Sequence, residues 1–214
     1  MSGILEAPIE KYINSLLPPR SAVLREMERY AEKNRVPIVG PACGRMLHQL
    51  AVAIGARRVF EMGSAIGYST LWLAQAVGPR GKVFYTDGDS RNAERAQGYL
   101  RRAGMLKRVQ ILTGDALESL RSTRGQFDLI FNDVSKEQYP EVFDLALPRV
   151  RQSGLFITDN VLWSGRVTQT AANSDKATRA IQKFNRLIHT TPKLFTTIIP
   201  LRDGLAVCMK NGKS

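Results

Sequence analysis

Cysteine is scarce: Cys43 and Cys208 are the only two in 214 residues. Two thiols so far apart make no disulfide framework and have no metal-ligand spacing, which points to a reduced, cytoplasmic protein. Histidine is equally rare. Both His48 and His189 fall in helical patterns far in sequence from the strand ends at Asp133 and Asp159, where packing or surface roles are expected. No apolar run approaches the roughly 20 residues of a membrane-spanning helix; Leu50 to Ala56 is typical of what is present. Glu6, Glu10 and Lys11 interrupt the first stretch of the chain, so no secretory signal is expected there. Acidic residues are also in deficit. Nineteen Asp and Glu stand against 31 Lys and Arg, a formal charge of +12 with a pI near 10.1. That balance suits either a polyanionic partner, through counterion release from phosphates, or a solvated basic surface. The basic residues are dispersed, as Arg57-Arg58, Arg101-Arg102, Lys107-Arg108, and Lys176, Arg179, Lys183 and Arg186 at helical spacing. None is interleaved with aromatics as on a single-strand binding platform, which favours the solvated surface.

What is present from residue 58 onward is an alternation. Short apolar runs bounded by Gly, Asp or Asn predict buried strands at Arg58–Met62, Lys82–Asp87, Val109–Gly114, Phe127–Asp133 and Gly154–Asn160. Amphipathic stretches between them predict helices at Tyr68–Val77, Arg91–Ala103, Ala116–Arg121 and Tyr139–Val150, with Ser90 as N-cap and Gly104 as stop of the second. Strands alternating with helices imply parallel βαβ units. The end of the chain differs. Phe195–Leu201 and Leu205–Lys210 flank Arg202-Asp203-Gly204, a turn containing Asp-Gly, so a hairpin with an antiparallel last strand is expected. Residues 8–54 read as helical, punctuated by Pro18-Pro19, Pro37 and Gly40-Pro41. The expected organisation is a single domain over 1–214, with a helical N-terminal cap (1–54) on an α/β core (55–214).

The first strand runs into Glu61-Met62-Gly63-Ser64-Ala65-Ile66-Gly67-Tyr68-Ser69-Thr70. A strand, a glycine turn and a helix start form a nucleotide crevice, where glycines admit the ligand to the backbone and the helix presents free N–H groups. The spacing is Gly-x-x-x-Gly, without the Gly-x-Gly-x-x-Gly of dinucleotide binders, so a nicotinamide dehydrogenase fits poorly. Glu61, ahead of the first glycine, suits a ligand with a cationic amino group. Asp87 ends the second strand twenty positions after Gly67, where it can accept both ribose hydroxyls or simply cap the turn Asp87-Gly88-Asp89. Gly114-Asp115-Ala116 ends the third, placed to meet an adenine edge, with Asp115 also able to cap a helix. Three such strand ends together indicate an adenosine ligand.

These residues resemble the class I S-adenosylmethionine (SAM)-dependent methyltransferases, specifically the cation-dependent O-methyltransferases typified by catechol and caffeoyl-CoA O-methyltransferases. The resemblance runs from Pro37-Ile38-Val39-Gly40-Pro41 to Asp203-Gly204-Leu205. It is most specific at Phe60-Glu61-Met62-Gly63, Gly67-Tyr68-Ser69-Thr70 and Asp159-Asn160-Val161-Leu162-Trp163-Ser164-Gly165. It implies a Rossmann-like seven-stranded sheet, mostly parallel with an antiparallel C-terminal hairpin strand. It implies that Val39, Glu61, Gly63, Ser64, Gly67, Tyr68, Ser69, Asp87, Asp115 and Ala116 serve the SAM pocket, and that the protein is a homodimer.

At the ends of the fourth and fifth strands stand Asn132-Asp133-Val134 and Asp159-Asn160. Two carboxylates and an amide carbonyl are an all-oxygen set suited to Mg²⁺, Mn²⁺ or Ca²⁺ rather than zinc, although paired Asp at strand ends also serve as caps. The resemblance implies that Asp133, Asp159 and Asn160 hold the cation, Mg²⁺ foremost, and that Lys136 is the catalytic lysine. A divalent cation beside Lys136 favours its neutral amine, the form that takes a proton. The implied mechanism has the metal binding two adjacent oxygens of the acceptor, with Lys136 removing a hydroxyl proton before attack on the methyl group. Trp163 covers the acceptor ring or anchors its loop. Ser135 stands where many relatives have a second Asp, and Asn132 where they have an apolar residue; both bear on the acceptor pocket or on the metal's surroundings. The expected acceptor is a small catechol-like diol. A tRNA hydroxyuridine is the alternative that the charge favours, and a non-catalytic SAM-binding protein a third reading, disfavoured by the presence of Lys136 and all three ligand positions.

Overall fold

The computed structural model of the chain describes residues 4–170 and 173–211; residues 1–3 and 212–214 of the expected domain, like 171–172, lie outside the described residues. Its strands are β1 (Arg58–Met62), β2 (Lys82–Asp87), β3 (Val109–Thr113), β4 (Phe127–Asn132), β5 (Val150–Thr158), β6 (Leu194–Ile199) and β7 (Leu205–Lys210). They form one sheet in the order β3-β2-β1-β4-β5-β7-β6. β1 to β5 pair in parallel, and β7 runs antiparallel to both β5 and β6. This is the mostly parallel, Rossmann-like sheet with a reversed hairpin strand that the sequence predicts.

The helices are α1 (Ala7–Ser15), α2 (Ala22–Asn34), α3 (Gly40–Ala53), α4 (Tyr68–Ala76), α5 (Ser90–Arg102), α6 (Ala116–Ser122), α7 (Tyr139–Ala146) and α8 (Lys176–Thr190). Strand side chains alternate between faces, and each face carries its own core. Val59, Leu129, Phe131, Leu155 and Ile157 pack with α2 to α5 on one side. Phe60, Met62, Ile130 and Phe156 pack with α6 to α8 on the other. α4 is buried from Tyr68 through Ala74 because it lies between the sheet and α3. α8 buries only Thr178, Ile181, Phe184 and Ile188, a helical stripe, and leaves its basic residues outward.

The three N-terminal helices correspond to the expected helical cap, broken where the prolines and Gly40 fall. Several boundaries differ from expectation. Asp89, not Ser90, is the N-cap of α5: its side chain accepts from the Arg91 N–H (2.9 Å) while Ser90 is already helical. Gly104 does follow the end of that helix, with φ +70°. The helix expected to reach Val150 stops at Ala146, passes through a 3₁₀ turn at Leu147–Arg149, and hands Val150 to β5. β5 thus begins four residues before Gly154. The polar Arg151-Gln152-Ser153 hides its start, and Ser153 turns at φ +58° where the pairing with β4 slips register.

Among the described residues no helix is long and apolar enough to cross a membrane.

The sheet order reverses between β1 and β4, and there the carboxyl ends of the strands splay into a crevice. Met62 pairs with Asn132, and Asn132 in turn with Thr158. Hydrogen bonds continue past the strands: Asp133 N–H donates to the Met62 carbonyl (2.8 Å) and Asp159 N–H to the Asn132 carbonyl (3.1 Å). The backbone ladder therefore sets Gly63, Asp133 and Asp159 side by side at one edge.

Candidate active site

Two lobes open along that edge, of about 330 and 360 Å³, and share Gly63, Asp87 and Asp133. The first adds Ala65, Asn92, Lys136, Asp159, Asn160 and Arg202, with Val36, Pro37 and Ile38 as an apolar wall. The second adds Gly88, Gly114, Asp115, Ala116, Leu117, Val134, Ser135 and Gln138. A shallow recess shares Asp133 and Lys136 with the first lobe and is walled by Trp163, Ser135 and Ala177.

Gly63 has a reason to be glycine independent of any ligand. Its φ is +83°, and a Cβ there would lie 2.6 Å from the Asp133 carbonyl oxygen. Asp87 is fixed by three donors: the Ala65 N–H (2.9 Å) on Oδ2, and the Asp89 N–H (2.9 Å) and Asn92 Nδ2 (3.1 Å) on Oδ1. The carboxylate thus caps its own turn and still borders the cleft. Asp115 likewise caps α6, accepting from the Glu118 N–H (2.9 Å), while lining the second lobe.

Of the residues expected to serve a cofactor, Gly63, Asp87, Asp115 and Ala116 line the lobes. Val39, Glu61, Ser64, Gly67, Tyr68 and Ser69 are buried and line neither. Ser64 braces the glycine loop, accepting from the Thr86 N–H (3.2 Å) through its hydroxyl and from the Gly67 N–H (2.8 Å) through its carbonyl. Tyr68 points away to α2, where its hydroxyl donates to Glu28 (2.7 Å). Glu61 is fully buried under the start of α4, with Thr70 Oγ1 donating to its Oε2. Asn132 is fully buried, its Nδ2 without a partner among the described residues, and it lines neither the lobes nor the recess. Ser135 does border the recess beside Trp163. His48 and His189 lie outside both lobes, bonded to the carbonyls of Trp72 and Asn185.

The charges at the edge are matched in pairs. Lys136 Nζ donates to Asp133 Oδ1 (2.7 Å), and Arg202 lies 3.8 Å from Asp159 Oδ2. Asp159 is almost wholly enclosed, and burial, reinforced by the charge on Asp133, pushes its carboxyl up to about 7. Burial also holds Asp133 above the usual carboxylate range, against the pull of Lys136. Two carboxylates on the wall of one lobe are hard oxygen donors that fit a divalent ion, and Asn160 on the same wall offers an amide oxygen. Among the described residues no group of three or more His, Cys, Asp or Glu is gathered to hold a metal.

Sequence reasoning passed over Ala65, Asn92, the Val36–Ile38 wall and Arg202. Arg202 occupies the β6–β7 turn, and only the pairing of β7 with β5 brings it to Asp159.

Comparison with known proteins follows the same lines. A family model described as O-methyltransferase matches residues 15–211. A catechol O-methyltransferase of Niastella koreensis is 32% identical over 220 residues, spanning 98% of this chain and 99% of its own. One from Mycobacterium tuberculosis is 38% identical over 133 residues, 62% of this chain and 60% of its own. Among solved structures, an O-methyltransferase from Bacillus cereus in complex with SAH superposes with a TM-score of 0.87 at 30% identity, covering 95% of this chain and 97% of that one. The O-methyltransferase TomG of Streptomyces achromogenes, in complex with SAM, gives 0.86 at 28%, covering 96% of each.

Glu61 makes the site's electrostatics measurable. Burial raises its carboxyl from 4.5 to about 7, against the hydroxyls of Ser69, Thr70 and Ser64. A carboxyl raised by folding leaves stability intact below its unfolded value and erodes it as pH climbs through the folded one. Relative to Glu61→Gln, the ligand-free wild type should lose on the order of 3 kcal/mol between about pH 4.5 and 8. Urea unfolding of both proteins across that range checks it, and a stability gap that does not change with pH would contradict the assignment.

Proposed function

The chain belongs to the O-methyltransferase family as a class I SAM-dependent methyltransferase, and on that footing we propose that it methylates a hydroxyl of a small aromatic vicinal diol with the help of a divalent cation. The observation that carries this reading is the placement of Asp133, Asp159, Asn160 and Lys136 on one wall of the cleft, next to the glycine loop. The relatives from Niastella koreensis and Mycobacterium tuberculosis are catechol O-methyltransferases, which is consistent with it.

In this reading the two lobes together hold SAM. Asp87, already fixed by three N–H donors, takes the ribose hydroxyls with its remaining lone pairs. Gly63 lets the ligand approach the backbone, and Asp115 with Ala116 borders the adenine. Glu61, Ser64, Gly67, Tyr68, Ser69 and Val39 act from behind, holding the loop in shape. Asp133, Asp159 and Asn160 would hold the cation, Mg²⁺ foremost. When bound, SAM supplies a methyl group on a sulfonium and the cation supplies Lewis acidity to an acceptor hydroxyl. With Asp133 given over to the cation, Lys136 Nζ, which faces the same lobe, would be freed from its ion pair and as the neutral amine would take the hydroxyl proton. Trp163 and the Val36–Ile38 wall hold the ring so that the nucleophilic oxygen meets the methyl group in line. Cys43 and Cys208 are free and buried, compatible with work in a reducing cytoplasm. A homodimer is part of the same proposal, and sedimentation at twice 23.8 kDa would support it.

The +12 charge sustains one other acceptor, tRNA. Transfer of label from SAM, with a catechol panel and bulk tRNA as acceptors and with and without chelator, decides both points. The expected result is labelled catechol, no labelled tRNA, and turnover abolished by chelator and restored by Mg²⁺ or Mn²⁺. Full turnover without metal, or labelled tRNA alone, would contradict the proposal.

Lys136→Ala should lower kcat by about 10²–10⁴-fold while leaving SAM affinity nearly unchanged. Single-turnover kinetics beside calorimetry of SAM binding separates the two effects. Wild-type kcat across the pH range would remove Lys136 from the chemistry.

A further inference from the structure

Arg202 is an arginine where the backbone favours glycine. It sits in the β6–β7 turn at φ +53°, and its carbonyl is held by the Ile4 N–H (2.9 Å). Its side chain is only 27% exposed and runs past Gly40 into the first lobe. The two cations of that lobe are not equivalent. Lys136 is within hydrogen-bond distance of Asp133, whereas Arg202 stands 3.8 Å from Asp159, too far for a hydrogen bond, and among the described residues its guanidinium has no hydrogen-bond acceptor. A planar fork of five N–H donors is therefore held inside the cleft with its bonds uncommitted. Val36, Pro37 and Ile38, which line the same lobe, offer apolar side chains for contact with a ring.

We infer that Arg202 receives a carboxylate carried by the methyl acceptor, making the enzyme selective for acidic aromatic diols over neutral ones. This rests on the vicinal-diol reading and narrows it. Guanidinium and carboxylate match as two parallel charge-assisted hydrogen bonds, which a neutral substituent cannot supply. The acceptor must also be compact. Beyond Arg202 an outer groove of about 790 Å³ is bordered by three carboxylates, Glu10, Glu28 and Glu32, against one further cation, Arg35, and Glu28 is already taken by Arg20 and Tyr68. An acid extending past Arg202 would meet two carboxylates unpaired among the described residues, Glu10 and Glu32, against the single further cation Arg35, so the carboxylate belongs on the ring or one short link from it.

The test compares 3,4-dihydroxybenzoate with its neutral amide in the SAM- and Mg²⁺-loaded enzyme, for wild type, Arg202→Gly and Arg202→Lys. Glycine suits φ +53°, so the first variant should fold. In wild type, kcat/KM should favour the acid by about tenfold or more, through KM. The acid-to-amide ratio should fall to near one in Arg202→Gly and lie between in Arg202→Lys. Calorimetric titration of 3,4-dihydroxybenzoate into the SAH-bound proteins should show the same order of affinities. A ratio near one in wild type overturns the inference. So does a variant that slows both acceptors equally with the ratio intact, which would make Arg202 a positioning residue for Asp159. Failure of the diol reading looks different, as no methylation of either compound despite SAM binding, and it takes the inference with it.

Discussion

Asp133 and Asp159 leave neighbouring strands at the same level, into a space that water only partly reaches. Enclosing one carboxylate costs several kcal/mol unless its charge is met, and a second beside it adds repulsion. The edge of the sheet is arranged around that constraint. Lys136 comes from the turn after β4 and reaches Asp133 within three residues, while Arg202 comes from a distant hairpin and faces Asp159. Raised carboxyl affinities for protons record how incompletely the two cations compensate. A site so incompletely compensated has use for a further positive ion, and that is the physical root of the proposed metal dependence.

The parallel sheet is what makes such a pair achievable. Ladder hydrogen bonds continue from Met62 to Asp133 and from Asn132 to Asp159, so the carboxylates are placed by backbone rather than by flexible side chains. The same strand-order reversal brings Gly63 against the Asp133 carbonyl with no room for a Cβ. Cofactor loop and proposed metal edge are thus one rigid unit, which suits a reaction that depends on holding two reactants at short distance. The reversed strand β7 adds the last part. Its turn carries Asp203, which accepts from the Ser164 N–H and whose carbonyl accepts from the Leu162 N–H (2.9 Å). The loop bearing Trp163, with positive φ at Asn160, Trp163 and Ser164, is tied to that hairpin.

Much of this was legible in the sequence because it is local. Apolar runs ending in Asp or Gly marked five strands, and Asp203-Gly204 marked the hairpin. The alternation that put Asp133 and Asp159 at strand ends also put them near each other. Where reading failed, competing local signals or distance were responsible. The polar Arg151-Gln152-Ser153 hid the start of β5, although Arg151 there bonds to Asp128 of the neighbouring β4. Ser90 has a capping side chain, but Asp89 precedes it and takes the role. Asn132 adjoins a cleft residue, yet it is fully buried and lines neither lobe. Arg202 and the Val36–Ile38 wall reach the site only through tertiary packing, and no spacing in the chain announces them.

The central claim is that the carboxylate edge binds a divalent cation, and the most direct measurement is Mn²⁺ binding followed by electron paramagnetic resonance. With SAM present, wild type should take up about one Mn²⁺ per chain, and Asp159→Asn should lose most of that binding while still binding SAM. Wild type that leaves all Mn²⁺ free, or a variant that binds it as tightly, would contradict the account.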